Sequence, residues 1–111
     1  MTLARWLDDR RPVPPPALRA RIDVALGDSL QCDERDAFDA CLVAGERVVE
    51  SLLRENATTR ETAIDLLAAD ALVTYAFEAA SDRPAELSSR AADAMSRIAA
   101  LASKASPSAP R

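Results

Sequence analysis

A long, nearly uninterrupted apolar segment, TTRETAIDLLAADALVTYAFEAASD, runs from Thr58 to Asp82 and limits the fold more than any other part of the chain. Its length and periodicity predict one helix of about six turns. Thr58 and Glu61 have the spacing of a capping box, in which the Thr hydroxyl accepts a hydrogen bond from a free amide and the Glu carboxylate reaches back to the cap. We therefore expect this central helix to begin at Thr58.

The central helix carries two apolar faces instead of one. The first follows the i, i+3, i+4, i+7 rule, and the second runs beside it. Their members are Ile64, Leu67, Ala68, Ala71, Leu72 and Tyr75 for the first face, and Leu66, Ala69, Val73, Ala76, Phe77 and Ala80 for the second. A helix with two apolar faces must be covered on both sides. The pattern predicts the inner helix of a bundle, or a helix shared with a second subunit, with Tyr75 and Phe77 as candidate interface or ligand contacts.

Asp70, Thr74 and Glu78 form a polar line between these two faces. An unpaired carboxylate among large apolar neighbours would cost free energy. Asp70 therefore has two interpretations. In the first, its carboxylate reaches solvent along this line or pairs with an Arg. In the second, it contacts a ligand or a partner.

Charge and composition narrow the class of protein. The chain has 111 residues, a formal net charge of −4, no His, only 2 Gly and 4% aromatic residues. This suits one small domain of close-packed helices and suits strands badly. Residues 22–82 carry 14 acidic residues against 4 Arg, whereas residues 1–21 and 83–111 are each net +3. An acidic middle without a basic stripe argues against a nucleic-acid partner.

The rest of the chain predicts further helices around the central one. Residues 2–9 form a short amphipathic turn that contains Trp6, and the Pro-rich stretch RRPVPPP follows as a stiff, extended connector. Helices are expected at Pro16–Leu26, with Gly27 as its stop, at about Glu34–Glu55, and from Pro84 onward, where Asp82 or Ser81 would cap the helix. The stripe expected to face the bundle in that last helix comprises Leu87, Ala91, Met95, Ile98 and Leu101.

The predicted fold is therefore all-α, a small antiparallel bundle of about four helices whose second and third helices form a hairpin. We expect an N-terminal turn and Pro-rich connector at residues 1–15, the helical bundle at 16–102 and a disordered C-terminal tail at 103–111. With few large side chains the core is thin, and oligomerisation would add burial.

Two residues outside the central helix are further candidate contacts. Gly45 lies on the apolar stripe of the Glu34–Glu55 helix, where glycine costs roughly 1 kcal/mol of helix propensity relative to Ala. The simplest compensation is another helix crossing there at close range. Trp6, the only Trp, either pins the N-terminus onto the bundle or anchors the protein in a partner's groove.

The chemistry of the chain predicts a protein that is not an enzyme and has no cofactor. Without His there is no imidazole base and no usual metal site, and two Cys are too few for a structural zinc site. Cys32 and Cys41 are too far apart for an internal bridge if Cys41 lies within a helix. Cys41 is expected in the core, and Cys32, in a loop, is the candidate reactive thiol.

One segment resembles a known family. The string LLAADALVTYAFE, Leu66–Glu78, is similar to a helix of the isoprenyl diphosphate synthases, with matches at Leu67, Asp70, Leu72, Ala76, Phe77 and Glu78. The resemblance covers about 20 residues, Ala69 replaces the usual Gly, and no aspartate-rich motif precedes it. It implies an all-helical remnant, such as an accessory subunit or a binder of an apolar ligand, and it transfers no catalytic residue.

We expect a non-enzymatic protein-interaction module that self-associates or binds another helical protein. The alternative is an accessory or apolar-ligand-binding subunit, and a third hypothesis is a thiol-based regulator that uses Cys32. The chain has no apolar run long enough to span a membrane and no signal-like start. The expected location is therefore the cytoplasm.

Overall fold

The computed structural model describes residues 1–55, 59–82 and 84–105, and they form an all-α bundle. Five α-helices follow one another along the chain: α1 Leu3–Asp8, α2 Pro16–Leu26, α3 Ala37–Glu55, α4 Arg60–Ser81 and α5 Pro84–Ala105. Two short 3-10 helices, Gly27–Gln31 and Glu34–Asp36, connect α2 to α3. The described ranges contain no β-strand, and one isolated bridge joins Thr2 to Asp33. The predicted fold class is confirmed.

The predicted hairpin consists of α3 and α4, which cross at Gly45. A Cβ atom placed on Gly45 would lie 3.4 Å from Val73 Cγ2, 3.5 Å from Leu72 Cβ and 3.6 Å from the Ala69 carbonyl oxygen. The two helices therefore approach one another closely where α3 lacks a side chain. The close crossing expected from the glycine is confirmed.

The cap of α4 differs from the prediction by one residue. Thr59 is the N-cap: its hydroxyl oxygen accepts a hydrogen bond from the Thr62 amide at 3.2 Å, and its own amide donates to Thr62 Oγ1 at 2.8 Å. The predicted Thr58–Glu61 capping box is wrong because Thr62 closes the reciprocal pair with Thr59. Thr58 itself lies outside the described residues.

Proline and glycine mark the ends of α2 as expected. Pro16 is the first residue of the helix, where a missing amide costs no hydrogen bond, and Gly27 follows its end with φ of 53°. Ile22 and Leu26 are its buried residues. The predicted start of α3 at Glu34 is a 3-10 turn instead, which Asp33 caps by accepting a hydrogen bond from the Arg35 amide at 2.9 Å.

The N-terminal segment is part of the bundle, although the sequence sets residues 1–15 apart from it. Leu3, Trp6 and Leu7 of α1 are buried in the same core as α2, α3 and α4. The chain before α1 is fastened by two backbone hydrogen bonds, Leu3 N to Cys32 O at 2.8 Å and Glu34 N to Met1 O at 2.9 Å.

The last helix begins at Pro84 as predicted but ends later than predicted. Asp82 ends α4 by donating its amide to the carbonyls of Ala79 and Ala80, and the Ser81 hydroxyl donates to the Phe77 carbonyl. The residue before Pro84 lies outside the described residues, so the predicted cap by Asp82 or Ser81 stays a prediction. The predicted tail begins too early, because α5 continues through Ala105. Residues 106–111 lie outside the described residues.

The orientation of α5 is also different from the predicted stripe. Ala94 and Leu101 are buried, whereas Met95 is 70% exposed and Ile98 is 43% exposed. The helix is therefore rotated so that one edge of the stripe faces away from the bundle. The side chain of Leu87 lies outside the described part of the chain.

The two apolar faces of α4 are covered only along part of the helix. Ala68, Ala69, Leu72, Tyr75, Ala76 and Ala80 are buried. Leu66 and Leu67, which belong to the two predicted faces, are 61% and 56% exposed. Within one chain, none of the neighbouring helices buries these two leucines, so the first part of α4 is not an inner helix of the bundle. The alternative, a helix shared with a second subunit, stays a prediction.

Substitution of Gly45 tests the crossing of α3 and α4. We expect Gly45→Ala to raise the free energy of unfolding by up to about 1 kcal/mol, because one methyl group makes only ordinary contacts and alanine favours the helix. Gly45→Val adds two further methyl groups against α4, and we expect a loss of roughly 1–3 kcal/mol. Urea denaturation measures both, and stabilisation by both variants would contradict a close crossing.

Candidate functional site

An apolar groove of about 570 Å³ lies between α3, α4 and α5. We call it the α3–α4–α5 groove. Most of its lining is aliphatic. Its residues are Leu42, Gly45, Glu46, Val49 and Leu53 of α3, Leu66, Ala69, Asp70 and Val73 of α4, and Ile98, Leu101 and Ala102 of α5.

Small buried residues form the floor of the groove. Gly45 and Ala69 line it at the crossing of α3 and α4, where the two helices lie close together. On α5, the buried residues Ala94 and Leu101 pack against the bundle, and Ala102 lines the groove wall. Protein interiors are densely packed and contain few large voids. A groove of this size therefore lies at the surface of the bundle and not inside its core.

Ion pairs hold α5 beside α3. Arg97 Nε lies 2.5 Å from Glu46 Oε1, and Lys104 Nζ lies 3.9 Å from Glu50 Oε2. Glu46 and Glu50 are one turn apart on α3, and Arg97 and Lys104 are two turns apart on α5, so the two pairs fasten the same side of α5 to α3. Exposed pairs such as Lys104 with Glu50 contribute little, about 0–1 kcal/mol.

The rim of the groove exposes large aliphatic side chains. Leu53, Leu66 and Ile98 are 47%, 61% and 43% exposed, and they lie on three different helices. Covering such a side chain completely would recover roughly 1–2 kcal/mol each. Isolated exposed apolar residues are common, but several around one concave surface are typical of an interaction site.

The groove contains two of the predicted site residues. Gly45 lies in its floor, and Asp70 is exposed at its rim, where the Asp70 carbonyl accepts a hydrogen bond from the Thr74 hydroxyl at 2.9 Å. The solvent-edge interpretation of Asp70 therefore agrees with its exposure. Its position at the rim also leaves its carboxylate beside any molecule that occupies the groove.

The three aromatic candidates lie elsewhere: Trp6 and Tyr75 are in the core, and Phe77 is partly buried against it. Trp6 and Tyr75 are buried and meet edge to face with ring centroids 6.3 Å apart, and Phe38 and Phe77 form a similar pair at 6.0 Å. Burial raises the pKa of Tyr75, and the Glu78 carboxylate raises it further. The buried position of Trp6 agrees with the first of its two predicted roles, in which it pins the N-terminus onto the bundle.

A charged side chain covers this aromatic pair. The Arg10 guanidinium lies 4.1 Å from the Trp6 ring centroid, and its Nη1 is 3.5 Å from Glu78 Oε1. Arg10 thus links the start of the Pro-rich connector to α4 through a cation–π contact and an ion pair. Glu78, the last residue of the polar line, therefore pairs with Arg10. The Arg10 side chain also covers the Trp6 ring at this end of the bundle.

Both cysteines are free, and their surroundings disfavour the thiolate form. Burial raises the pKa of the Cys41 thiol to about 12. Burial also raises the pKa of the partly buried Cys32, and the neighbouring carboxylates of Asp36 and Asp33 raise it further. Reactive thiols are found in electropositive surroundings that lower the pKa, so this environment does not favour the thiol-regulator hypothesis.

The sequence missed two of the residues that form the rim. Periodicity predicts that Ile98 faces inward and that Leu66 lies under a neighbouring helix, whereas both are exposed at the groove. The sequence contains one signal of this exposure. A helix with two apolar faces, in a chain with few large side chains, has more apolar surface than its neighbours can bury.

The described ranges contain neither a metal-binding cluster nor a helix that could span a membrane. No three His, Cys, Asp or Glu side chains come together there in a way that could hold a metal ion. None of the helices in those ranges has both the length and the apolar character required to span a membrane.

In comparisons with protein-family models, curated proteins and solved structures, the chain matches none. The resemblance of Leu66–Glu78 to a helix of the isoprenyl diphosphate synthases stays a prediction.

Thiol labelling tests the described environments of the cysteines. At pH 8 we expect iodoacetamide to modify Cys32 more slowly than an unstructured cysteine and to leave Cys41 unmodified until the protein unfolds. A raised pKa lowers the fraction of thiolate, which is the reacting form. Mass spectrometry of native and urea-unfolded samples measures the labelling, and native modification of Cys41 as fast as Cys32 would contradict its burial.

Proposed function

We propose that this protein is a non-enzymatic interaction module that binds an apolar helix of a protein partner in the α3–α4–α5 groove. The observation that supports the proposal is the exposed aliphatic rim, with Leu53, Leu66 and Ile98 around an apolar concavity between three helices. Grooves of this kind accept the apolar face of an amphipathic helix, whose anchor residues recur at i, i+3, i+4 and i+7.

Charge limits the partner further. The α3 and α4 helices contain eight acidic and three basic residues, a net charge of −5. Asp70 stands at the groove rim, and Glu46 and Glu50 lie on the α5 side, paired with Arg97 and Lys104. A partner helix with a neutral or basic flank therefore suits this surface better than an acidic one, because like charges across an interface are costly.

Native mass spectrometry of the untagged protein tests this function. We expect the protein to retain a second polypeptide, of its own kind or another, and Leu66→Glu to reduce that retention at least tenfold. A charge in the apolar groove would lose its hydration without gaining a partner. Val24→Glu is the matched control, because Val24 is 73% exposed on α2 and lies outside the groove.

A bare monomer at high protein concentration, unchanged by Leu66→Glu, would contradict the proposal. Equal loss in both variants would also contradict it, because it would show that added charge rather than the groove decides retention.

The volume of the groove favours a second candidate function, the binding of an apolar small molecule. A volume of about 570 Å³ falls within the range of roughly 300–1,000 Å³ that is typical of ligand sites. In the same measurement this function predicts a monomer with a few hundred daltons of releasable mass. Denaturing extraction should release that mass, and Leu66→Glu should reduce its occupancy.

A further inference from the structure

The edge of α5 that borders the groove is an apolar ridge. Met95, Ile98 and Ala102 are exposed along about two turns of the helix, and we call them the α5 ridge. Ile98 and Ala102 also line the groove, so the ridge and the groove share a wall. A surface in which a ridge and a groove lie side by side can be complementary to a second copy of itself.

The ridge is uncharged, which allows two copies to approach. At 100° per residue, Arg97 and Lys104 project from the flank of α5 opposite Met95, where they pair with Glu46 and Glu50 of α3. The positions beside the ridge on its solvent side are small and uncharged, namely Ala92, Ala99 and Ser103. Two ridges can therefore meet without like-charge repulsion, although the whole chain has a net charge of −4.

The register of such a pair follows from the helix positions. If two α5 helices pack antiparallel about a two-fold axis at Ile98, residue 95 of one copy lies opposite residue 101 of the other. Leu101 and Ala102 line the groove together with Leu53 and Leu66. The same axis that brings the two Ile98 side chains together thus places each Met95 at the partner's groove.

The area of this surface reaches the lower limit of what a dimer requires. Leu53, Leu66, Met95 and Ile98 are between 43% and 70% exposed, and the small residues beside the ridge are also exposed. Together they present on the order of 500 Å² per copy, so that two copies would bury on the order of 1,000 Å², which is the lower limit for a specific interface.

We propose that the occupant of the α3–α4–α5 groove is the α5 ridge of a second copy, in a two-fold symmetric dimer. The inference rests on the proposed function and names its partner. In the dimer each Met95 enters the other copy's groove beside Leu66, and α5 is buried on both of its apolar edges. Because the area is small, association should be weak to moderate and concentration-dependent.

Sedimentation equilibrium with complementary variants tests the dimer. Leu66→Glu disables the groove, Met95→Glu disables the ridge, and Val24→Glu is the control. We expect the wild type and Val24→Glu to reach twice the chain mass of 11.9 kDa. Each of the first two variants alone should associate at least 100-fold more weakly, because both groove–ridge contacts of its dimer carry a charge.

An equal mixture of Leu66→Glu and Met95→Glu gives the decisive result. Its mixed dimer retains one intact contact, the unaltered ridge of the first variant in the unaltered groove of the second, so the mixture should associate about tenfold more tightly than either variant alone. Both substituted residues are highly exposed, so each variant should keep its helical circular dichroism spectrum.

The outcomes separate this inference from the proposed function. A dimer that both variants leave intact would overturn the inference, as would a mixture that associates no better than its components. A wild-type monomer that holds another polypeptide through Leu66 would overturn the second-copy partner and leave the proposed function standing. A monomer that holds none would overturn both.

Discussion

The rest of the structure depends on the close approach of α3 and α4 at Gly45. A glycine in the middle of a helix sacrifices roughly 1 kcal/mol of helix propensity, and here the missing side chain lets Leu72 and Val73 of α4 lie against the α3 backbone. The fully buried side chains Leu42 and Leu72 come from these two helices. The other helices pack around this pair, and α1 reaches it through the contact of Trp6 with Tyr75.

The scarcity of large side chains between the helices also explains the groove. The residues of α5 that reach the bundle are few, with Ala94 and Leu101 buried, and ion pairs with Glu46 and Glu50 hold the helix on the α3 side. Alanine-rich helices pack closely where their small faces meet, but they cannot fill the space between helices that diverge. The aliphatic surface left over at Leu66 and Ile98 is the physical reason for proposing that the groove binds a helix.

Much of the fold is predictable from the sequence, and the groove is not. Periodicity, Pro16 and Gly27 predict α2 to the residue, and Gly45 predicts the helix crossing, because these signals are local. The exposure of Leu66, Leu67 and Met95 depends on how α5 is rotated and where its neighbours end, which the periodicity of one helix does not contain. The cap at Thr59 was missed because threonines stand at both 58 and 59, and only backbone geometry decides between them.

Amide hydrogen exchange at two protein concentrations tests the central claim, that α3 and α4 form the stable core while α5 and the groove need a cover. We expect the slowest exchange near Gly45 and Leu72 at both concentrations. Amides around Leu66 and Ile98 should become more protected as the protein concentration rises. Exchange in α5 that is as slow as in α3 and independent of concentration would contradict this claim, because α5 would then be stable without a partner.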